Sequence, residues 1–467
     1  MSDPQPKTRA AGGTEFSWCS AVPTGTGITV LALLLSKPPK ISNLQNALRR
    51  LQASHPILNS NLHFDSAANA FSFLTSSSPR VEIQPFDLQS TAQILRSGNS
   101  DASPFHLVLE HELNRNSWRN PNHPSDADAD VLFASLYDLS ETEWALALRL
   151  HTSACDRTAA AALLKGLLRE IGGGEGGGVD SGLGESEEVS LGIEELIPSG
   201  KANKPFWARG VDMLGYSLNS FRLANLAFKD SSSPRHSQVV RLQIGTEETG
   251  RLVSDCKSRG IKLSGALAAA ALMAARSSKN LPLDQREKYG VVTLTDCRLL
   301  LEPPLSSQHL GFYHSAILNT LDISGEETIW ELATRTYMSF AKAKESNKHF
   351  SDMSDLNYLM CKAIENPGLT PSSSMRTAFI SVFEDPVIDD SNELQQEFGL
   401  EDYMRCSSVH GVGPSIAIFD TIHQGGLDCA CVYPSPLHSR EQMQELIENM
   451  KRILADGCSC TIIENGS

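Results

Sequence analysis

The sequence predicts an α/β protein made of two α+β sandwich domains. Strand-like and helix-like segments alternate through both halves of the 467 residues, a pattern typical of mixed α/β architectures. A tract of Gly, Glu and Ser over residues 172–188 has almost no apolar side chains and predicts a flexible linker. The length suffices for two domains of ordinary size. We therefore expect a first domain over residues 1–195, a crossover segment over 196–235 and a second domain over 236–467.

The first half opens with a buried strand and an amphipathic helix. Residues 28–35 form an unbroken apolar run of strand length. In the helix that follows, Ser42 is expected to cap the start and Pro56 to end it. The apolar face of this helix repeats at helical spacing and consists of Leu44, Leu48 and Leu51. Residues 114–130 are rich in Asn, Pro, Asp and Ser and predict a surface loop.

A strand–turn–helix unit is predicted around His151. Residues 143–151 alternate in side-chain direction, which places His151 and Thr152 on opposite faces at the strand end. A short turn containing Asp156 comes next, and Thr158 is expected to cap the following helix. The apolar face of that helix consists of Leu163, Leu164, Leu167, Leu168 and Ile171.

The second half repeats the mixture of strands and helices. The crossover segment contains four aromatic residues, Phe206, Trp207, Tyr216 and Phe221. Alternating or apolar runs predict strands over residues 238–244, 290–295, 378–383, 416–419 and 427–433. Helical spacing predicts helices over residues 247–259, 264–276 and 326–345. A capping box of Ser439 and Gln442 opens the last helix.

Charge and hydropathy exclude several classes of partner. The formal net charge is −15 at pH 7, which argues against a nucleic-acid partner. Residues 1–14 are polar and lack a signal-peptide core. The most apolar run, residues 28–35, is shorter than the ~20 residues that a membrane span needs. We expect a cytoplasmic, monomeric protein that binds neither nucleic acid nor membrane.

Common catalytic and metal-binding motifs are absent from the sequence, including the nucleophile elbow, the P-loop and the His-Glu-x-x-His zinc motif. Cys429 with Cys431 and Cys458 with Cys460 are close pairs, but no second pair of Cys or His stands at zinc-like spacing from them. Cys429 and Cys431 fall on one face of a predicted strand, so we expect structural or free thiols. The sequence predicts no metal and no tightly held cofactor.

The segment that remains is residues 151–157, His-Thr-Ser-Ala-Cys-Asp-Arg. It resembles the His-His-x-x-x-Asp-Gly signature of CoA-dependent acyltransferases and peptide-synthetase condensation domains, which plant BAHD enzymes shorten to His-x-x-x-Asp. Aligned on Asp156, the first family histidine matches His151. The second, which is the family's general base, falls on Thr152, and the glycine falls on Arg157.

Three further segments resemble the same superfamily and occur in the expected order. Residues 48–64, with the string Leu-Gln-Ala-Ser-His-Pro-Ile-Leu, resemble its first helix and following strand. Residues 296–311 carry Asp-Cys-Arg, Pro-Pro-Leu and a glycine, similar to the BAHD pattern Asp-x-Arg, Pro-Pro-Leu, Gly-Asn. Residues 410–414, His-Gly-Val-Gly-Pro, resemble a degenerate Asp-Phe-Gly-Trp-Gly-x-Pro motif. The final strand and helix, residues 427–454, also fit, so the resemblance spans nearly the whole chain.

The resemblance implies a fold of two chloramphenicol-acetyltransferase-like domains with a channel between them. An acyl-CoA thioester would enter from one side as co-substrate, and a small-molecule hydroxyl or amine acceptor of plant specialised metabolism from the other. Asp156 would pair with Arg298 and hold the loop rather than touch substrate. Gly411 and Gly413 would permit close backbone approach next to Pro414.

Other residues near the motifs have two interpretations. Arg157 either meets an anionic group of a ligand or faces solvent at the helix start. Cys155 is expected to pack in the core, because no histidine is placed to lower its pKa. His314 and His410 lie near family motifs, but not at positions that the family uses.

Thr152 changes the chemistry that the family position performs. Histidine, with an ordinary pKa of ~6.5, accepts the acceptor's proton, whereas a threonine hydroxyl only donates or accepts hydrogen bonds. Three hypotheses follow. The protein transfers acyl groups to an acceptor that needs no base or uses another base such as His151, which a bulge would have to swing inward. Alternatively, the fold serves a lyase or isomerase reaction, or it is a non-catalytic binding or regulatory protein.

Overall fold

The structure is a computed structural model that describes residues 7–96, 102–119, 129–172, 190–205, 209–210 and 223–464. The predicted linker lies outside the described residues except for Gly172. The predicted loop over residues 114–130 is described only at its two ends. The four aromatic residues of the predicted crossover also lie outside: Phe206, Trp207, Tyr216 and Phe221.

The chain divides into two compact units, each assembled from separate segments. Unit 1 consists of Met1–Leu196, Leu301–Tyr313 and Ser391–Ser408. Unit 2 consists of Ile197–Leu300, His314–Asp390 and Val409–Ser467. The sequence-based boundaries treated each domain as one continuous stretch. They missed that Leu301–Tyr313 and Ser391–Ser408 belong to unit 1. The composition of these two segments does not distinguish them from the residues of unit 2 on either side.

Unit 1 is built around a mixed sheet. Within the described residues its strands run in the order Leu400–Val409, Thr26–Leu35, Trp144–His151, Leu132–Asp138 and Ile83–Phe86. A second sheet has the order Lys7–Ala10, Ala70–Thr75, Ser60–Asp65 and Ala129–Asp130. The helices are Gly13–Ala21, Ile41–Ser54, Leu88–Leu95, Pro104–Asn114, Arg157–Gly172 and Asn392–Phe398.

The core of unit 1 explains why these strands are so apolar. Thr26–Leu35 lies between two neighbours and is buried along almost its whole length, so both of its faces must be covered. The leucines of Ile41–Ser54 and Arg157–Gly172 join the same buried cluster as this strand. The helical periodicity of the sequence therefore predicted the packing faces of these two helices correctly.

Unit 2 contains a mixed sheet flanked by helices. Its main strand order is His314–Ile323, Glu287–Asp296, Arg376–Phe383, Gly413–His423, Gly426–Ser435 and His236–Ile244, and the short strand Val387–Asp389 pairs with Gly413–His423. The helices are Thr246–Ser258, Leu263–Ser277, Ile329–Glu345, Lys348–Ser351, Met353–Glu365 and Arg440–Glu464. Leu263–Ser277 is alanine-rich and almost wholly buried in the core of this unit.

Some local predictions need correction. Lys40, not Ser42, is the N-cap residue of Ile41–Ser54. Thr158 lies inside the helix Arg157–Gly172, and the Asp156 carboxylate accepts the Ala159 N–H at 2.8 Å. Asp156 therefore caps this helix, because a short acidic side chain one residue before a helix reaches the free amide of its third residue.

The strand predictions were right in place but short in extent. The predicted strand at residues 416–419 belongs to Gly413–His423, and the strands His314–Ile323 and Leu400–Val409 were not predicted. Their polar residues interrupt the alternation on which a sequence-based assignment depends. Within the described residues no helix combines the length and the apolar character that crossing a bilayer requires.

Candidate active site

The strand Trp144–His151 brings the motif to one end of the unit 1 sheet. It pairs antiparallel with Thr26–Leu35, where Ile28 lies opposite His151. A 3-10 turn, Thr152–Ala154, follows at once, and the helix Arg157–Gly172 begins three residues later. The predicted strand–turn–helix unit is therefore present in the structure.

Thr152 is buried and belongs to a chain of three hydroxyl groups. It is 5% exposed, and its Oγ1 lies 2.7 Å from the Oγ1 of Thr29 on the neighbouring strand. The Thr29 Oγ1 lies 2.8 Å from the Oγ of Ser407 on the strand Leu400–Val409. We call Thr152, Thr29 and Ser407 the hydroxyl chain. None of the three groups titrates near neutral pH, so the chain orients hydrogen-bond donors rather than supplying a base.

Sequence analysis missed Thr29 and Ser407. Thr29 lies inside the apolar run of residues 28–35 and drew no attention. The available signal was its hydroxyl group, because a hydroxyl in a buried strand needs a hydrogen-bond partner. Ser407 lies 378 residues after Thr29, on a strand that was not predicted. Local patterns carry no information about such a pairing.

His151 is held by Trp118 and by the turn that follows it. Its ring is 1% exposed and packs edge-to-face on Trp118 with ring centroids 5.2 Å apart. Its Nδ1 accepts the Ser153 N–H at 3.2 Å and lies 2.7 Å from the Ser153 Oγ. Burial lowers the pKa of His151 to about 3. The ring is therefore neutral at pH 7, with Nδ1 as acceptor and the proton on Nε2.

This arrangement bears on the predicted substitute base. The Nδ1 lone pair, which a base would use, already accepts hydrogen bonds from Ser153. His151 would need a rearrangement of the turn before it could accept a proton. The role predicted for His151 stays a prediction.

Asp156 fastens the motif turn to a second segment of unit 1. Its Oδ1 accepts the Ala159 N–H and its Oδ2 accepts the Tyr313 N–H, both at 2.8 Å. Its own N–H donates to the Gly311 carbonyl at 3.1 Å. Gly311 has φ +143°, and a Cβ there would lie 2.7 Å from the Tyr313 ring, so a glycine is required. The carboxylate thus fixes two backbone segments and supports the predicted positioning role.

The remaining residues of the motif have simpler surroundings. Cys155 is fully buried, with its Sγ 3.7 Å from the Asp156 carbonyl oxygen, as core packing predicts. Arg157 opens the helix and is half-buried, which leaves both of its predicted roles open.

Arg298 belongs to unit 2, is 2% exposed and donates to the Asp296 carboxylate at 3.1 Å. Its pairing with Asp156 and the channel implied by the resemblance stay predictions.

Comparisons with known proteins were made against families, curated sequences and solved structures. A family model described as "Phthiocerol/phthiodiolone dimycocerosyl transferase C-terminus" matches residues 233–347. No curated protein sequence matches this chain. Polyketide synthase associated protein 5 from Mycobacterium tuberculosis is 16% identical, with a TM-score of 0.63, over 98% of this chain and 99% of that one.

Two other solved structures are similar over nearly their full length. The trichothecene 15-O-acetyltransferase TRI3 from Fusarium sporotrichioides is 13% identical, with a TM-score of 0.68, over 96% of this chain and 94% of that one. The X-domain from teicoplanin biosynthesis, solved in complex with OxyB, is 16% identical, with a TM-score of 0.57, over 98% of this chain and 96% of that one.

The fold is that of condensation-type acyltransferases. The predicted α/β class with two sheet-rich halves is thereby confirmed. The family match over residues 233–347 and the shared fold support the predicted resemblance to the condensation and acyltransferase superfamily. The narrower resemblance to plant BAHD enzymes stays a prediction.

In unit 2 the Gly411–Pro414 turn is organised by a residue that sequence analysis missed. Arg376 is 2% exposed, and its guanidinium donates to the carbonyls of Val409 at 2.9 Å, Pro414 at 2.5 Å and Gly411. Burial lowers the pKa of Arg376 to about 9. Gly413 has φ +152°, so this turn needs the conformational freedom of glycine. The available signal was a charged residue at the start of an apolar strand.

The two histidines near family motifs have structural contacts in unit 2. His314 is buried and packs edge-to-face on Phe383, with ring centroids 5.6 Å apart. The Nδ1 of His410 lies 3.0 Å from the Ser237 Oγ. Among the described residues, no cluster of three or more His, Cys, Asp or Glu side chains is arranged to hold a metal ion.

Proposed function

We propose that the protein transfers an acyl group from a CoA thioester to the nitrogen of a small-molecule amine. The observation that carries the proposal is the hydroxyl chain: Thr152, which the resemblance aligns with the family's base, is buried and hydrogen-bonded to Thr29. The transferase family match over residues 233–347 supports acyl transfer, and the fold shared with an acetyltransferase supports it by analogy.

The absence of a titrating group at Thr152 favours an amine over an alcohol acceptor. An alcohol is a weak nucleophile until a base takes its proton, whereas a neutral amine attacks with its own lone pair. The amine nitrogen would bond to the thioester carbon and the carbon–sulfur bond would break. The amine proton would pass to the departing thiolate, giving an amide and free CoA thiol. Deprotonation before attack is then unnecessary.

In this proposal Thr152 is a hydrogen-bond donor in the reaction. If Ser407 donates to Thr29 and Thr29 donates to Thr152, the Thr152 O–H is free to point at the substrate. Hydrogen bonds in such a chain polarise one another, which strengthens the terminal donor. A donor placed on the oxygen of the thioester carbonyl stabilises the negative charge that develops during attack, an effect worth ~10²–10³ in rate for a single group.

The experiment is an acyl-transfer assay with purified full-length protein. Acetyl-, malonyl- and benzoyl-CoA are offered with paired acceptors that differ only in carrying an amine or a hydroxyl, and release of free CoA thiol is measured. Amide formation without ester formation is the expected result. Ester formation at equal rate would contradict the amine assignment, and inactivity with every pair would contradict acyl transfer.

Two other functions remain as alternatives. A non-catalytic binding role is favoured by the loss of the family base and by the similar X-domain, whose structure contains a protein partner, OxyB. A lyase or isomerase role would use Thr152 only to orient substrate. Thermal stabilisation by acyl-CoAs or free CoA separates these possibilities, because a partner-binding protein has no reason to respond to them. Appearance of acyl transfer only in Thr152→His would favour a changed reaction.

We also propose a monomeric cytoplasmic protein within plant-type specialised metabolism, with CoA as co-substrate and no resident cofactor. The net charge of −15 supports a solvated surface. The narrower BAHD resemblance supports the metabolic setting. Sedimentation at increasing protein concentration tests the oligomeric part of this proposal.

A further inference from the structure

A pocket in unit 2 is distinct from the hydroxyl chain and has the features of a small-molecule site. Its volume is about 440 Å³, within the usual range for ligand pockets. It is lined by residues of unit 2 only. Its apolar lining residues include Leu300, Tyr337, Phe340 and Phe350. Its polar lining residues include Lys201, Lys344, His349 and Glu384.

The pocket lies where strands of the unit 2 sheet end. Glu384 follows directly on Arg376–Phe383, and its N–H donates to the Leu294 carbonyl at 2.8 Å. Arg376–Phe383 runs parallel to Glu287–Asp296. The carboxyl ends of neighbouring parallel strands are where ligands commonly bind in α/β sheets.

Glu384, the buried acidic residue of the pocket, is already neutralised by the protein. Glu384 accepts from Lys262 at 2.8 Å, from Lys344 at 2.5 Å and from the Thr295 hydroxyl. Burial disfavours the charged carboxylate, but these hydrogen bonds more than offset it and lower the pKa of Glu384. Glu384 therefore has little capacity left to attract a cationic ligand.

The positive groups of the pocket differ in how they are paired. Lys344 pairs with Glu384, which it shares with Lys262, and Lys262 has a second partner in Asp385. In the described part of the chain, no acidic side chain forms an ion pair with Lys201, although it lines the pocket. Glu345, which is exposed, also lines the pocket and carries an opposing charge.

His349 is a buried lining residue of the pocket with an unsatisfied ring nitrogen. It is 4% exposed, and its Nδ1 has no hydrogen-bond partner among the described residues. Burial, followed by the charge of Lys344, lowers the pKa of His349 to about 4, and Lys201 acts in the same direction. The unpartnered ring nitrogen of His349 and the ammonium group of Lys201 are therefore the polar groups that a ligand would engage.

We propose that this pocket binds a small monocarboxylate whose body is aromatic or branched aliphatic. The carboxylate would sit between Lys201 and Lys344, and the body would pack on Tyr337, Phe340 and Phe350. The size of the pocket, its aromatic lining residues and the two lysines that line it fit this class. The site is independent of acyl transfer at Thr152, so a binding measurement tests it whether or not the proposed reaction is correct.

The experiment is calorimetric titration of the full-length protein with cinnamate and with its neutral analogue cinnamamide. Cinnamate is expected to bind, and cinnamamide to bind about fivefold more weakly, because an ion pair worth about 1 kcal/mol near a surface corresponds to a factor of about five in affinity. Equal affinities, or no binding of cinnamate at millimolar concentration, would overturn the proposal.

Four variants locate the site. Lys201→Met should weaken cinnamate binding, and Glu345→Gln should tighten it, by several-fold each and without a matching change for cinnamamide. Ala341→Trp should abolish binding of both by filling the pocket, which Ala341 lines. Lys342→Met is the matched control, because Lys342 is exposed on the same helix and does not line the pocket. An unchanged affinity in Lys201→Met and Ala341→Trp would place any binding elsewhere.

Discussion

The hydroxyl of Thr152 lies 2.7 Å from the hydroxyl of Thr29, on the strand that pairs beside the motif strand. Both side chains are at least nine-tenths buried, so the Thr152 hydroxyl depends on Thr29 for this hydrogen bond. Thr152 is therefore held in one orientation by its neighbouring strand. This relationship is the basis of the first two predictions.

Removal of the Thr152 hydroxyl should slow the reaction without weakening substrate binding. In Thr152→Val the shape is kept and the donor is lost, so kcat should fall ~10²–10³-fold with KM nearly unchanged. Thr152→Ser keeps the hydroxyl and should retain most of the activity. Steady-state kinetics with the acyl-CoA and amine pair found active measures both.

Thr26→Val is the matched control for that comparison. Thr26 lies on the same strand as Thr29, is 5% exposed, and its hydroxyl has no hydrogen-bond partner among the described residues. The chemical change is identical, but the hydroxyl chain stays intact. A loss of kcat in Thr26→Val as large as in Thr152→Val would show that strand packing, not the hydroxyl chain, is responsible.

The hydroxyl chain should also be visible in stability. A double-mutant cycle of Thr29→Val and Thr152→Val should give a coupling free energy of about 1 kcal/mol, the usual worth of one hydrogen bond. Urea denaturation followed by circular dichroism measures the free energy of unfolding for the four proteins. Strict additivity of the two single changes would mean that the two hydroxyls do not interact in solution.

Local sequence patterns predicted the parts of the fold that depend on neighbours in the chain. The strand ending at His151 and the leucine face of Arg157–Gly172 both follow from periodicities of two and 3.6 residues. The same patterns placed Thr152 and Asp156 correctly relative to that strand and helix. Local geometry was accessible because it is set by residues a few positions apart.

The rest of the site depends on contacts between distant segments. Ser407 and Tyr313 reach the motif of unit 1 from positions far along the chain, and no pattern within a short window reports such a meeting. The Asp156 cap was also missed, because a Thr in the next turn competes with it as a capping residue in the sequence. Long-range hydrogen bonding decided the first case, and the choice between two local capping residues decided the second.

Asp156 should be a strong stabilising residue of unit 1. Asp156→Ala leaves the Ala159 and Tyr313 N–H groups without their acceptor in a buried place, which should lower the free energy of unfolding by about 3 kcal/mol. Thermal and urea denaturation measure the change. Asp138→Ala, at the half-buried end of the neighbouring strand, should cost less than about 0.5 kcal/mol. Equal costs at the two positions would contradict the positioning role.

Buried His151 should make stability fall in mild acid. Burial lowers its pKa in the folded protein to about 3, below the ~6.5 of an unfolded chain. Protons therefore bind the unfolded state first, and stability that is complete above pH ~6.5 is lost as the pH falls toward 3. Between pH 6.5 and 5 the loss should be roughly 2 kcal/mol.

The variant His151→Asn isolates this contribution, because an amide oxygen can replace Nδ1 as acceptor and does not titrate. Between pH 6.5 and 5, its free energy of unfolding should fall by roughly 2 kcal/mol less than that of the natural protein. His63→Asn, on the exposed face of Ser60–Asp65, serves as control and should leave the slope as it is. A slope unchanged in His151→Asn would mean that the ring is solvated in solution.

Arg376 should be irreplaceable by lysine, because its flat guanidinium serves several acceptors at once. It donates to the carbonyls of Val409, Gly411 and Pro414 from a buried position, and an ammonium group at the same place cannot reach all three. Arg376→Lys should lower the free energy of unfolding by about 3 kcal/mol and speed amide hydrogen exchange in the turn. Arg241→Lys changes a partly exposed pair with Asp428 and should cost less than about 1 kcal/mol. If both substitutions cost the same, the Gly411–Pro414 turn holds its shape without the guanidinium, and Arg376 contributes only the packing of its side chain.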